Sequence, residues 1–265
     1  MEKKYIIKAS NILLENRLNR NSIESFPENC IPKNENEAYE IQDELLKLYL
    51  NLSDNEIIGK KVGCTNHEAQ KQLDIESPFY GNLFSKYSEK NGCNIKSSEF
   101  TNPYFEPEFA FKLNNDINIS KAPFTINEIA KYIEVVIPCI EIVDFRFLGN
   151  LKSIGVYNLI ASNGGSEYWI KGNKELKLNT INLNNQSVEV FKNNKLIEKG
   201  NSSKVLGNPI NSLLWIINEL SKKNQPILKN YYISTGTCTP AIKLSKGDSL
   251  KINFCDIEIL EFNYI

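Results

Sequence analysis

The order of hydrophobic and polar residues divides the chain into a helical beginning and a strand-rich remainder. Up to about residue 53, hydrophobic residues recur every three or four positions, which is the period of an amphipathic helix. The first stripe comprises Ile6, Ile7, Ile12, Leu13, Leu14 and Leu18, and the second comprises Tyr39, Ile41, Leu45, Leu46 and Leu48. Two prolines between residues 26 and 32 interrupt the pattern. We therefore predict two N-terminal helices, the second beginning near Asn36.

From Ile57 the pattern changes to short hydrophobic runs that are typical of strands. The candidate strands are 57–64, 104–113, 135–147, 168–171, 188–196, 231–235, 250–254 and 257–264, and helices are predicted at 68–73, 126–133 and 211–220. Pairs of asparagines, such as those at 114–115, 184–185 and 193–194, indicate loop tips because asparagine tolerates left-handed backbone. The predicted class is α+β, with a helical N-terminal segment at 1–55 and a mixed β-rich domain at 56–265.

Composition narrows the functional classes. The 265 residues include 31 Lys and Arg against 32 Asp and Glu, so a net charge of −1 gives no reason to expect binding to nucleic acid or to a membrane. The single histidine, His67, excludes zinc sites that need two imidazoles and leaves one candidate for any catalytic triad. Six cysteines without C-x-x-C spacing, a charged N-terminus and no long apolar run indicate a cytoplasmic protein with reduced thiols.

Two carboxylates share one face of the strand predicted at 104–113. Residues two apart in a strand point the same way, so Glu106, Glu108 and Ala110 lie opposite a face that is apolar. Like charges this close repel one another unless a positive charge lies between them. The simpler alternative is that the glutamates form the solvated face of an amphipathic strand.

A third glutamate, Glu141, interrupts a run that is apolar on both faces. A buried carboxylate must be paired, protonated or bound to a metal, and a structural salt bridge to a lysine or arginine is one alternative. Together, the three glutamates provide oxygen ligands of the kind that Mg²⁺, Mn²⁺ or Ca²⁺ prefers over zinc.

Adjacent lysines lie between two glycines in the segment 59–63. Neighbouring strand residues face opposite ways, so Lys60 and Lys61 cannot both face solvent if the strand is covered. One of them then points into a site, unless the strand lies at a sheet edge with both lysines exposed.

These segments together resemble the 2-keto-4-pentenoate hydratase / 4-oxalocrotonate decarboxylase branch of the fumarylacetoacetate hydrolase superfamily. The resemblance runs in order from about residue 35 to the C-terminus. The matching motifs are Glu-Ala-Tyr-Glu-Ile-Gln at 37–42, Gly-Lys-Lys-Val-Gly-Cys-Thr at 59–65, Ser-Pro-Phe-Tyr-Gly-Asn-Leu at 77–83, Phe-Glu-Pro-Glu-Phe-Ala at 105–110, Ile-Pro-Cys-Ile-Glu-Ile-Val-Asp-Phe-Arg at 137–146, Val-Leu-Gly-Asn-Pro-Ile at 205–210 and Ser-Thr-Gly-Thr at 234–237.

The resemblance implies a mixed β-roll or barrel body and an active site built on a divalent metal. Its ligands would be Glu106, Glu108 and Glu141, the metal Mg²⁺ or alternatively Mn²⁺, and the catalytic lysine Lys61. The substrates of this family are short 2-oxo acids or 2-hydroxy-dienoic acids, which react through a metal-bound enolate. The resemblance also implies a homo-oligomer. The substrate-binding residues expected from the matching motifs are Tyr80, Gly81, Ser162, Thr235, Gly236 and Thr237.

The chain departs from the family pattern at three positions. Phe79 replaces the aspartate of typical hydratases and agrees with the decarboxylases, Ser162 replaces a second aspartate, and Asn208 replaces a histidine. We predict a hydratase-type lyase, with decarboxylation of a 2-oxo-enedioic acid or a catalytically weakened partner subunit as alternatives. The position of His67 does not match the histidine of the C–C hydrolases, so His67 is expected to be a solvated residue near a helix start.

Overall fold

The N-terminal segment forms two helices that pack against each other. The computed structural model describes all residues from Met1 to Ile265, and helices α1 (Lys3–Asn19) and α2 (Glu35–Leu50) lie where the two stripes predict them. The side chain of Asn34 accepts a hydrogen bond from the Glu37 amide and caps the start of α2. Helix α1 ends at Asn19 and is followed by Arg20, whose backbone is left-handed with φ of 57°.

Thirteen strands and five further helices follow. The strands are β1 (Ile57–Gly63), β2 (Phe79–Phe84), β3 (Ser88–Lys90), β4 (Cys93–Ile95), β5 (Tyr104–Leu113), β6 (Ile133–Val143), β7 (Ser166–Lys171), β8 (Ser187–Lys192), β9 (Lys195–Asn201), β10 (Tyr232–Thr237), β11 (Ile242–Lys243), β12 (Asp248–Phe254) and β13 (Glu258–Tyr264). The helices are α3 (His67–Leu73), α4 (Ile126–Ile129), α5 (Leu151–Ile154), α6 (Val156–Ala161) and α7 (Pro209–Lys222). The α+β class predicted from the sequence is confirmed.

The strands form two mixed sheets. The larger has the order β2-β1-β10-β5-β6-β7-β3, with β11 added on β5, and the smaller has the order β4-β13-β12-β8-β9. Within the larger sheet β1 runs parallel to β10, and the long pair β5 and β6 is antiparallel. This order places β1, β10, β5 and β6 side by side, so side chains on one face of all four strands can meet.

One continuous hydrophobic core joins the helical segment to both sheets. It includes Leu13 of α1, Ile41 of α2, Phe109 of β5 and Phe262 of β13, all of which are almost fully buried. A second, smaller cluster consists of Leu83, Ala110, Cys139 and Trp169. Ala110 and Cys139 each lie two residues from a glutamate, so this cluster continues the face that carries the carboxylates.

The structure corrects the strand predicted at 188–196. That segment is a hairpin in which β8 turns into β9 at Asn193 and Asn194, whose φ angles are 52° and 63°. Two consecutive left-handed residues form the tight turn that antiparallel strands require, and asparagine adopts this backbone more readily than most residues. Strand β2 was not predicted, and the helix predicted at 126–133 ends as an α-helix at Ile129 and continues as one turn of 3₁₀-helix.

The change from helices to strands falls between Leu50 and Ile57, close to the predicted boundary at residue 55. The division into two domains stays a prediction. None of the helices is long and apolar enough to cross a membrane.

Candidate active site

Strands β5 and β6 bring the three predicted glutamates together. Glu106 lies directly opposite Glu141 in the β5–β6 pairing, and Glu108 lies two residues further along the same face of β5. One carboxylate oxygen from each of the three residues lies within 4.8 Å of the others. Glu108 and Glu141 have no exposed surface, and Glu106 is partly buried. We call Glu106, Glu108 and Glu141 the carboxylate cluster.

The carboxylate cluster carries more negative charge than the surrounding protein neutralises. Burial, together with repulsion from Glu141, raises the pKa of Glu106 to about 7 and raises the pKa of Glu108 well above its usual range. Both oxygens of Glu141 and Oε1 of Glu108 are buried without a hydrogen-bond partner. Buried carboxylate oxygens are rarely left without hydrogen bonds, so these three atoms form a position that suits a cation. An all-oxygen ligand set fits a hard divalent metal ion.

Lys61 is the nearest positive charge. Its Nζ lies 3.4 Å from Oε1 of Glu141 and donates a hydrogen bond of 2.6 Å to the backbone carbonyl of Gly164, and the side chain is 2% exposed. Gly164 has a φ of +63°, and a Cβ there would lie 2.8 Å from Cε of Lys61. Glycine at this position therefore lets the turn at 163–165 approach the lysine closely.

Lys60 points to the opposite face of β1, as strand alternation requires. Its Nζ donates a hydrogen bond of 2.7 Å to Oδ1 of Asn82 and lies 5.6 Å from the centre of the Tyr80 ring. Burial lowers the pKa of Lys60 to about 8, and the Asp43 carboxylate partly opposes this effect. Lys61 and Lys60 are thus both buried, but only Lys61 reaches the carboxylate cluster.

Strand β10 supplies the groups that hold Glu108. Oε2 of Glu108 accepts hydrogen bonds from the hydroxyl of Ser234 at 2.6 Å and from the backbone amide of Gly236 at 3.0 Å. The indole Nε1 of Trp169 in turn donates to Oγ of Ser234 at 3.2 Å. Gly236 has a φ of +103° and leaves room for the side chain of Thr65, whose hydroxyl is buried and unpaired.

Sequence reasoning missed Ser234, Trp169 and Thr65. Ser234 and Thr65 lie inside the family motifs at 234–237 and 59–65. Because neighbouring strand residues face opposite sides of a sheet, the sequence could have indicated that Ser234 and Thr235 point in different directions. No sequence signal distinguishes Trp169 from a core tryptophan.

Of the predicted substrate-binding residues, the two glycines lie on the face of the carboxylate cluster, whereas the three hydroxyl groups donate hydrogen bonds to backbone carbonyls. Gly81 lies opposite Lys61 in the β1–β2 pairing, and Gly236 contacts Glu108, so both belong to this face. The hydroxyl of Thr235 donates to the Phe109 carbonyl, that of Thr237 to the Thr239 carbonyl and that of Ser162 to the Leu159 carbonyl.

Tyr80 does not reach the carboxylate cluster. Strand alternation turns its ring to the Lys60 face of β2, where it stacks on Tyr39 at 4.4 Å between ring centres. The expected role of Tyr80 in substrate binding is therefore not supported by its position.

Phe79 lies on the side of the sheet that holds Lys61. The centre of its ring is 5.7 Å from Nζ of Lys61, and the ring also lines a cleft of about 580 Å³ between the segments 73–79 and 154–160. A second cleft of about 570 Å³, near Asn114 and Glu134, contains none of the candidate residues. Of these two clefts, only the first borders the candidate site, through Phe79.

His67 and Asn208 lie outside the candidate site, each at the start of a helix. His67 is exposed at the first position of α3, as expected. The side chain of Asn208, at the family's histidine position, accepts a hydrogen bond from the Ile210 amide and caps the start of α7.

Comparison with known proteins gives relatives of two activities. No protein-family model matches the chain. It is 28% identical over 205 residues to a 4-oxalocrotonate decarboxylase from Pseudomonas putida, a match that covers 76% of this chain and 74% of the relative. It is 25% identical over 217 residues to 2-keto-4-pentenoate hydratase 1 from Dechloromonas aromatica, with coverage of 82% and 80%.

A solved structure shows the same fold. The structure of 4-oxalocrotonate decarboxylase from Pseudomonas putida G7, complexed with magnesium and adipate, matches with a TM-score of 0.94 and 23% identity over 100% of this chain and 99% of that one. Together, the ordered motifs, the two groups of relatives and the shared fold support the 2-keto-4-pentenoate hydratase / 4-oxalocrotonate decarboxylase branch of the fumarylacetoacetate hydrolase superfamily as the group that this chain resembles.

Proposed function

We propose that this protein is a divalent-metal-dependent lyase of the hydratase type that acts on a short 2-oxo or 2-hydroxy-dienoic acid. One observation carries the proposal: three buried or half-buried carboxylates converge within 4.8 Å beside a buried lysine, and three of their oxygens accept no hydrogen bond. Relatives that cover most of the chain are named as enzymes acting on such acids. Both lines of support point to the same chemistry.

Glu106, Glu108 and Glu141 would hold the metal, and Mg²⁺ or Mn²⁺ fits their oxygen donors. The magnesium in the related decarboxylase structure supports Mg²⁺. When bound, such an ion supplies a positive charge that stabilises negative charge developing on a substrate oxygen. One dication and the Lys61 ammonium would offset the three carboxylates, so an anionic substrate could enter without strong repulsion.

The residues of the chain would position the substrate and hold a proton. Lys61 is the candidate proton carrier, because its Nζ is fixed between the Gly164 carbonyl and Glu141 and is shielded from bulk water. The ring of Phe79 excludes water from one side of that ammonium. Gly81, Ser162 and the segment Thr235–Thr237 stay proposed as substrate contacts. The hydroxyls of Ser162, Thr235 and Thr237 already bond to backbone, so any contact from them must use a different arrangement.

A second candidate reaction, decarboxylation of a 2-oxo-enedioic acid, is favoured by Phe79. Hydration needs a group that orients or activates water, and an aromatic ring cannot serve as a general base. Loss of CO₂ needs stabilisation of negative charge on the 2-oxygen but no activated water. The apolar ring beside Lys61 is therefore better suited to decarboxylation than an aspartate would be.

Turnover assays distinguish the two reactions. The purified protein is incubated with Mg²⁺ and either 2-hydroxypenta-2,4-dienoate or 2-oxo-3-hexenedioate, and ultraviolet absorbance and CO₂ release are followed. Loss of dienoate absorbance without CO₂ supports hydration, and CO₂ release from the dioic acid supports decarboxylation. Phe79→Asp should gain hydration if this position divides the reactions. Absence of turnover on both substrates, with Mg²⁺ bound, would contradict the proposal.

A further inference from the structure

The two carboxylate oxygens of Glu108 have different surroundings. Oε2 accepts two hydrogen bonds, from the Ser234 hydroxyl and the Gly236 amide, whereas Oε1 accepts none. Glu108 has no exposed surface, so bulk solvent does not reach Oε1. The carboxylate is therefore fixed with one oxygen occupied by the protein and the other free.

Trp169 determines the direction of the Ser234 hydroxyl. An indole N–H can only donate, so Oγ of Ser234 must accept the 3.2 Å hydrogen bond from Trp169. The hydroxyl proton is then available for Oε2 of Glu108, 2.6 Å away. Sγ of Cys139 lies 3.4 Å from the same Oγ and fills the remaining space. Ser234 and Cys139 are fully buried and Trp169 is 2% exposed, so no solvent competes for these bonds.

We propose that Trp169 and Ser234 are positioning residues that orient Glu108, so that Oε2 is held by the protein and Oε1 is presented to a divalent metal. This inference rests on the proposed function, because it gives the free oxygen a ligand. Trp169 lies opposite Glu141 in the β6–β7 pairing, but its hydrogen bond goes to Ser234, and Ser234 in turn donates to Glu108, so the polar contacts of both residues lead to Glu108. Groups that orient a metal ligand commonly change metal affinity by a factor of about 10 to 100 when they are removed.

Metal affinity tests the role of Ser234. Ser234→Ala removes the donor to Oε2 but keeps the backbone bond from Gly236, and we expect the Mg²⁺ dissociation constant measured by calorimetry to rise about 10-fold or more. Ser212→Ala is the matched control, since Ser212 on α7 is also a fully buried serine and its hydroxyl has no partner. The control should leave Mg²⁺ affinity within about twofold of the wild type.

A double-mutant cycle tests whether Trp169 acts through Ser234. Trp169→Phe should weaken Mg²⁺ binding in the wild-type background, but it should have little further effect when Ser234 is already alanine. A purely structural loss of packing at Trp169 would instead add to the effect of Ser234→Ala. Trp215→Phe, at the partly buried tryptophan of α7, controls for the substitution itself.

Crystal structures determined without added metal distinguish a failure of the positioning role from a failure of the proposed function. In Ser234→Ala the Glu108 carboxylate should rotate away from its wild-type position, whether or not the protein binds Mg²⁺. If the wild type binds no Mg²⁺ but Glu108 rotates in the variant, the metal assignment fails and the positioning role stands. The positioning role is overturned if Glu108 keeps its place in the variant, or if the wild type binds Mg²⁺ and Ser234→Ala binds it equally well.

Discussion

At the scale of single residues, Glu141, whose two oxygens accept no hydrogen bond, gives the sharpest test of the metal site. Glu141→Gln and Glu106→Gln keep the size of the side chain but remove its charge, so we expect Mg²⁺ binding measured by calorimetry to fall at least about 100-fold. The exposed Glu15→Gln on α1 serves as control and should bind Mg²⁺ as the wild type does. Unchanged affinity in either site variant would remove that glutamate from the metal site.

Lys60 gives a pH dependence that does not involve the metal. Its pKa is about 8 in the folded protein and ordinarily 10.5, so the cost of burying the ammonium is fully present below about pH 8. Between these values the native state releases the proton while the unfolded chain keeps it, and stability contributed by Lys60 rises with pH. The free energy of unfolding of the wild type, relative to Lys60→Met, should therefore increase from pH 8 to pH 10 by at most about 3 kcal/mol.

Urea titrations at pH 7, 8, 9 and 10 measure this difference. Taking the difference between two proteins cancels tyrosines, such as Tyr80, that titrate in the unfolded chain of both. The nearby Asp43 carboxylate opposes the shift, so Asp43→Asn should lower the pKa of Lys60 further and move the rise to lower pH. A stability difference that stays constant over this range would show that Lys60 is not desolvated.

Some residues of the site could be predicted from the sequence and others could not. Two glutamates on one face of an amphipathic strand, and a third inside an apolar strand, were enough to indicate Glu106, Glu108 and Glu141 as a group. Which atom each side chain contacts depends on strand register, which local sequence does not determine. This is why Ser234 and Trp169 were missed and why the position of Tyr80 on the Lys60 face was not predicted.

At the scale of elements, β1 separates two lysines by strand alternation alone, which makes them a matched pair. Lys61→Met removes the ammonium next to Glu141, and we expect turnover to fall about 10²- to 10⁴-fold with the fold intact. Lys60→Met removes an equally buried ammonium from the other face of the same strand, so most of the turnover should remain. Steady-state kinetics with circular dichroism check both variants. Equal losses in the two would mean that damage to β1, not chemistry at Lys61, explains the effect.

The elements were predicted well where periodicity was long and poorly where the chain turns tightly. The long apolar runs of β5 and β6 and the stripes of α1 and α2 are visible over ten or more residues. Strand β2 was missed because all six of its residues are buried and the segment contains Gly81 and Asn82, so neither alternation nor strand propensity marks it.

At the scale of the whole molecule, Arg17 connects the helical segment to the large sheet. Its guanidinium donates hydrogen bonds to the backbone carbonyls of Ser166 and Glu167 at the start of β7 and lies 3.2 Å from the Glu167 carboxylate. It also lies 3.9 Å from the centre of the Tyr87 ring. Arg146 binds the same carboxylate at 2.8 Å, so Glu167 joins two buried arginines. No sequence pattern indicates a contact across 150 residues.

Because these bonds are buried, Arg17 should contribute strongly to stability. Arg17→Met keeps much of the aliphatic stem but leaves two carbonyls without donors, and we expect the free energy of unfolding to fall by about 3 kcal/mol. Lys8→Met, at an exposed position on the same helix, should change it by less than about 0.5 kcal/mol. Urea denaturation measures both, and hydrogen exchange should show faster exchange in α1 and at the start of β7. Since β7 follows directly after the turn that carries Gly164, the same variant should also loosen Lys61 and lower turnover. If the variant is as stable as Lys8→Met, the helical segment is held to the sheet by its hydrophobic core alone.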